Sequence, residues 1–245
     1  MSGHSKWANI KRKKGVTDKA KGIAFAKLSR IITLSVIEGG NIPDPNHNFK
    51  LRLAIDKARA LNMPKDNISR AIEKGTGSGK ALLREVLYEG FAPHGIALMI
   101  QATTDNPNRT VSEMKNLCEM NGGKLGSQGS VSYLFDHCGM VEFDKTANTE
   151  EAVFNFGEAM KAIDIDQNES SYYVYFPFHE FGRIKEHLGS MVTITSEVDF
   201  RPQLTITLAD DSQIRSVLGL VEKLEELDDV QRVFTNLEIP DSFHE

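Results

Sequence analysis

The sequence predicts an α+β multidomain protein, an N-terminal helical domain followed by two α/β domains of the βαβ, ferredoxin-like kind. Three observations predict it. Up to about residue 78, apolar residues recur three and four apart, the spacing of a helix face. Beyond the glycine-rich stretch GTGSG (75–79) the pattern changes to period two, which belongs to strands. Between those strands fall helical patterns of roughly ten to fifteen residues, as βαβ units require. The 245 residues are 40% hydrophobic and 26% charged, a soluble globular composition with enough apolar material for a core.

A first helix is predicted from Thr17 to Glu38. Phe25, Leu28, Ile32 and Val36 form its apolar line, Thr17 and Asp18 supply a cap and a first-turn acid, and Gly39-Gly40 the stop. Lys19, Lys21, Lys27 and Arg30 lie off that line. IPDPN (42–46) reads as a turn, because two prolines fix φ and remove donors. A second helix runs from about Asn48 to Leu61, with Leu51, Ile55, Ala58 and Leu61 inward. On it Lys50 and Lys57 share one face and Arg52 and Arg59 another, two turns apart. Pro64 opens a third helix, with Ile68 and Ile72 four apart and Arg70 and Lys74 likewise. GTGSG ends it as a flexible linker, so 1–78 reads as a small helical domain with a basic face.

After the linker, VLYEG, GIALMIQ, YYVYF, VTITSEV, LTITL and RVFTNLEI read as strands. LTITL alternates most cleanly, placing Leu204, Ile206 and Leu208 inward and Thr205 and Thr207 outward. Val111, Met114 and Cys118 mark one intervening helix, and Val153, Phe156, Met160 and Ile163 a second. Phe181, Ile184 and Leu188 mark a third, and Ile214, Leu218, Val221 and Leu224 a fourth, with Asp210-Asp211 at its start. The expected grouping is an outer domain of 79–135 plus 203–245 and an inserted domain of 136–202. The first stretch supplies β-β-α-β, and the last supplies the β-α-β that completes a compact sheet.

The charge is divided. Residues 1–80 hold 17 Lys and Arg against 6 Asp and Glu, a net of +11, and residues 81–245 hold 12 against 28, a net of −16. A basic head on an acidic body is a footprint of polyanion binding, because cations placed on phosphates release condensed counterions. The head opens with GHSKWANIKRKK (3–14), which sets the sole tryptophan, Trp7, among Lys6, Lys11, Arg12, Lys13 and Lys14, with no acid before Asp18. Trp7 has two readings. It anchors this segment on the helices as core, or it stacks on a base or ribose while the cations take phosphates. The candidate nucleic-acid-binding residues are therefore Lys6, Trp7, Lys11, Arg12, Lys13, Lys14, Lys19, Lys21, Lys27 and Arg30.

Other chemistry fails on spacing. GTGSGK (75–80) has its first glycine one position late for a phosphate loop, Ala81 in place of the hydroxyl, and a helix instead of a strand before it. The acid pairs Asp210-Asp211, Glu225-Glu226 and Asp228-Asp229 are neighbours on the chain and point apart, which makes poor metal sites. The seven histidines show no ligand spacing, and His137-Cys138 is no nucleophile–base pair. Ser2-Gly3-His4 could wrap Cu(II) or Ni(II) once Met1 is removed, without an evident use. Cys118 and Cys138 form neither a disulfide framework nor a zinc spacing, and read as buried small hydrophobes of a reducing, cytoplasmic compartment. No apolar run is long enough for a membrane helix, and no apolar stretch follows the basic N-terminus as in a secretory signal. Two loops, TTDNPNRT (103–110), with Asn108 as a possible cap and Arg109 in the first turn, and GGKLGSQGS (122–130), allow close approach of a ligand. Turn and cap chemistry is the favoured account of both, and neither implies catalysis.

Six ordered stretches carry a resemblance that runs nearly end to end. They are GHSKWANIKRKK, the helix after it, NMPKDNISRAIEKG (62–75), YEGFAPHG (88–95), TDNPNRT (104–110) and GGKLGSQGSV (122–131). Together they resemble the YebC/PmpR family, which includes the mitochondrial translational activator of cytochrome c oxidase. His94 stands where members usually carry glycine, and Arg12-Lys13-Lys14 where a His-Arg-Lys order is common. The resemblance implies three domains, one helical and two α+β, and a non-enzymatic regulator of gene expression. Bacterial members are usually described as DNA-binding transcriptional regulators, and some act on translation at the ribosome. The expected partner is accordingly nucleic acid, DNA or ribosomal RNA. No cofactor, metal, membrane or small-molecule substrate is expected, and a monomer is.

Overall fold

The computed structural model describes residues 18–77, 83–240 and 242–243, with side chains from Lys21 onward. The chain runs α1 (Asp18–Glu38), α2 (Phe49–Ala60), α3 (Lys65–Thr76), β1 (Arg84–Phe91), β2 (Ala97–Thr104), α4 (Pro107–Met120), β3 (Lys124–Leu125) and β4 (Phe135–Asp144). It continues with α5 (Glu150–Ala159), β5 (Asp164–Gln167), β6 (Ser171–Pro177), α6 (Ile184–Leu188), β7 (Thr193–Pro202), β8 (Ile206–Thr207), α7 (Asp211–Glu226), β9 (Val230–Thr235) and β10 (Leu237–Glu238). This is an α+β architecture, helices first and two mixed layers of sheet and helix after. One compact unit draws on the described residues up to Val131 and on Asp210–Val233, the other on Ser132–Ala209 and the described residues from Phe234 onward.

In the first unit α1 presents Leu28, Ile32 and Val36, with Phe25 partly buried, to Leu51, Ala54, Ile55 and Ala58 of α2 and Ile68 and Ala71 of α3. Removing these apolar surfaces from water is what holds the three helices together, since helices as short as α2 and α3 are marginal alone. Asn48 fixes the α1–α2 connection. Its side chain accepts from Leu51 N (3.1 Å), capping α2, and donates to the Ser35 and Ile42 carbonyls (2.8 and 3.1 Å). Two expectations are corrected here. Leu61 caps α2 and is 48% exposed, the inward role passing to Met63 just beyond the helix. GTGSG is no linker at its start: α3 continues to Thr76, and Gly75 is buried where an added Cβ would stand 2.6 Å from Val36 Cβ.

The sheet of this unit has the order β3-β1-β2-β9. β1 and β2 pair antiparallel from Arg84↔Thr104 to Phe91↔Ala97, joined through Pro93–Gly95. There His94 (φ 64°) and Gly95 (φ 77°) are both left-handed, a conformation that glycine adopts more readily than histidine. β2 is buried along nearly its whole length instead of alternating, which means that both of its faces are covered. α4 and α7 pack together, and α7 buries Ile214, Leu218, Val221 and Leu224 as its periodicity predicts.

The second unit holds a sheet of order β5-β6-β4-β7, antiparallel at every junction. Phe143 meets Phe156 of α5 edge-on at 5.0 Å, and Gly139 lies under the rings of Phe176 and Phe181. Cys138, Met140, Tyr173 and Tyr175, on the alternate positions, form a separate buried cluster. Three further expectations change. The Phe181–Leu188 pattern is a 3-10 turn (Phe178–Arg183) running into the five-residue α6. Ile163 lies beyond α5 and is 48% exposed. LTITL, the cleanest alternation in the sequence, makes only the two-residue strand β8, parallel to β10, with Leu204 74% and Ile206 38% exposed. Alternation shows which residues would share a face, and a strand still needs a partner of matching length to bury it.

Candidate functional site

Of the ten candidate residues, Lys6, Trp7, Lys11, Arg12, Lys13 and Lys14 lie outside the described residues, and Lys19 is described only as a backbone position on α1. Lys21 is exposed on the first turns of α1. Lys27 and Arg30, one turn apart, reach the end of α7 and the turn after it. Lys27 Nζ donates to the Glu225 carbonyl, and Arg30 donates to Asp229 Oδ1 at 2.5 Å. Both cations thus fasten α1 within its own unit.

Asp229 is a four-donor node, its side chain 3% exposed. Besides Arg30 on Oδ1, its Oδ2 accepts from Arg109 (2.7 Å), Thr110 Oγ1 (2.7 Å) and Thr104 Oγ1 (3.1 Å). Burial pushes its pKa up, but the Arg109 and Thr110 hydrogen bonds and the two guanidinium charges outweigh it and hold the carboxyl below its usual 3.8. The TDNPNRT loop exists to build this node. Asn106, not Asn108, caps α4 by accepting from Arg109 N (3.2 Å), and Pro107 takes the first helical position. That cap sets Arg109 and Thr110 on the first turn, beside Thr104 at the end of β2. Arg30 and Arg109 line a surface cleft together with Glu113, Glu226, Asp228 and Asp229. Carboxylates outnumber guanidiniums there, so the cleft suits internal clamping better than a phosphate.

Cations outside the candidate set cover α2 and α3. Lys57, Arg59, Lys65, Arg70 and Lys74 are all exposed. Lys50 pairs with Glu38 (2.6 Å), Arg59 approaches Asp56 (3.7 Å), and Arg52 lies over the Phe49 ring at 5.2 Å.

The glycine-rich loop 122–130 is held by Glu89 of the YEG stretch. Its buried carboxylate accepts from Gly129 N and Val131 N, both at 2.7 Å, while its carbonyl accepts from Gly126 N (2.8 Å). Those amides therefore serve the fold, and of the two readings of this loop they support turn chemistry.

In the second unit Glu180, 3% exposed, accepts from Lys161 (2.5 Å) and Arg183 (2.6 Å). The Lys161 hydrogen bond first, then that of Arg183, lowers its pKa from 4.5 to about 2. Nearby is a feature that sequence reasoning missed, a column of Phe178, His137 and Phe200 that runs from an exposed ring at Phe178 to a buried one at Phe200, brought together from β4, β7 and the turn after β6. Nothing in local spacing signals it. Both cysteines are unpaired and buried, and burial first of all raises Cys118 to about 11 and Cys138 to about 12. Among the described residues no group of three His, Cys, Asp or Glu could hold a metal ion, and no helix is long and apolar enough to cross a membrane.

Comparison with known proteins adds to this geometry. A family profile described as the TACO1/YebC protein N-terminal domain matches residues 5–78, and one described as the TACO1/YebC second and third domain matches 83–237. A Herpetosiphon aurantiacus protein named "Probable transcriptional regulatory protein" is 45% identical over 100% of this chain and 98% of its own length. A protein of the same name from Roseiflexus castenholzii is 43% identical over 98% and 96%. The crystal structure of a conserved hypothetical protein of Aquifex aeolicus superposes with a TM-score of 0.84 at 37% identity, covering 93% of this chain and 94% of that one.

Proposed function

The chain belongs to the TACO1/YebC family, and from that premise we propose that it is a non-enzymatic, nucleic-acid-binding regulator of gene expression, in the first place a DNA-binding transcriptional regulator. The divided charge carries this reading: a net of +11 over residues 1–80 beside −16 over the remainder concentrates phosphate affinity in the head. The names of its relatives support the transcriptional part. Lys6, Lys11, Arg12, Lys13 and Lys14 take phosphates, with Lys19 and Lys21 extending the contact along α1 and Trp7 either packing the segment or stacking on a base. Lys27 and Arg30 contribute by fixing the helix that carries them. The protein works as a cytoplasmic monomer, without cofactor or small-molecule substrate. A second reading, a translation factor on ribosomal RNA, draws support from the exposed ring of Phe178 at the end of an aromatic column, since unpaired bases can stack on a side chain while duplex bases are already stacked on one another.

Sedimentation of a gently prepared lysate on a sucrose gradient, with and without ribonuclease, separates the two. A protein that stays at the top in both gradients, and then selects sequences from random duplexes in graded salt, is a DNA regulator. Migration with ribosomes that ribonuclease abolishes makes translation the physiological process and sinks the transcriptional reading.

A further inference from the structure

We infer that the second unit carries a stacking site for an unpaired nucleobase, formed by the exposed ring of Phe178 at the outer end of the Phe178–His137–Phe200 column. This rests on the nucleic-acid reading and adds a ligand class and a location to it. Phe178 and His137 lie 4.2 Å apart between ring centroids at 24°, and His137 and Phe200 4.9 Å apart at 18°. Three nearly parallel rings at this spacing form the start of a stack.

The inner end is anchored. Phe200 is 8% exposed, pairs in register opposite His137 across β4 and β7, and meets the buried Phe234 edge-on at 5.2 Å. The outer end is open: Phe178 is 42% exposed, and among the described residues no ring other than His137 stacks parallel on it. Phe178 starts the 3-10 turn whose buried Phe181 sits 6.2 Å away, so the ring is held in place before any ligand arrives. A preset ring loses little side-chain freedom when a base adds to it.

The surrounding charge fits. Residues 81–245 are acidic as a whole, yet here Lys161, Arg183 and Lys185 stand against Glu180 and Glu186. Glu180 keeps Lys161 (65% exposed) and Arg183 (45% exposed) beside the turn that carries Phe178. With Asp136 beside His137 included, three acids meet three cations around this turn, so a phosphodiester next to a stacked base does not face the excess acidity of residues 81–245 as a whole. An apolar peptide would need a groove, and a single ring face offers none. A base needs only that face.

The test is anisotropy of the full-length protein with a fluorescein-labelled, mixed-sequence single-stranded RNA of twelve nucleotides, and with a duplex DNA of equal length, across graded salt. Phe178→Leu keeps the apolar contact and removes the π face. Phe178→Met is a second ringless form read the same way should the first not fold, and Phe178→Trp keeps a ring. The ringless forms should bind the single strand about 5- to 100-fold more weakly. Duplex affinity and the slope of log affinity on log salt should stay as in the parent, because no phosphate contact is lost. Phe178→Trp should restore binding. Single-strand affinity within twofold of the parent, or an equal loss on duplex, overturns the stacking site while leaving the nucleic-acid reading standing. A parent protein that binds neither probe at low salt overturns both.

Discussion

Single carboxylates do more in this protein than their number suggests. Asp229 collects Arg30, Arg109, Thr104 and Thr110 around one buried group. Asp229→Asn keeps the shape and removes the charge. It should lower unfolding free energy in urea by about 1–3 kcal/mol, below the full cost of a broken buried pair because both arginines can regain water. Because the folded carboxyl titrates below its usual range, the unfolded chain binds that proton more readily. The stability it contributes is therefore present above about pH 4 and lost as pH falls through the lowered value. Glu180 behaves alike over a wider window, present above 4.5 and lost toward about 2. Denaturation midpoints taken between pH 7 and pH 2.5 should fall less steeply for Glu180→Gln than for the parent. Parallel curves would show that Lys161 and Arg183 do not hold it ionised.

At the scale of elements, two glycine and acid positions decide how pieces approach each other. Gly75 lets α3 lie against α1, where a Cβ would stand 2.6 Å from Val36 Cβ and 2.9 Å from the Thr33 carbonyl oxygen. Gly75→Ala gains about 1 kcal/mol of helix propensity. The overlap should cost more, for a net loss of about 1–2 kcal/mol in thermal or urea unfolding. A stabilised variant would mean that the two helices can separate without loss. Glu89 binds loop 126–131 through two backbone amides, so Glu89→Gln replaces one acceptor oxygen by a donor facing an N–H. Hydrogen exchange at Gly129 and Val131 should then speed up by an order of magnitude or more, with exchange in α1–α3 unchanged.

For the whole molecule the governing quantity is the separation of charge along the chain. Changing Lys11, Arg12, Lys13 and Lys14 together to Glu should weaken binding to every nucleic acid tested. It should also flatten the log–log salt slope by up to about 4, at about 0.9 for each lost phosphate contact. An unchanged slope would remove the tract from the interface and leave the exposed cations of α2 and α3 to account for binding.

The α+β class, the helical start and the basic head are legible in the sequence, because periodicity, turn residues and charge are properties of neighbours on the chain. The apolar line of Leu28, Ile32 and Val36 and that of Ile214, Leu218, Val221 and Leu224 are buried as their spacing requires. The same local signals misplaced what depends on a distant partner. LTITL alternates perfectly yet lies largely open for want of a full-length neighbour, and β2 is buried on both faces where β1 beside it is not. Which cations are taken up inside the fold depends on how distant segments pack. Arg30 and Asp229 are 199 positions apart, and no pattern in a window of twenty residues can pair them. The tertiary structure likewise brought His137, Phe178 and Phe200 into one stack, since strand register, and not sequence spacing, sets which rings meet.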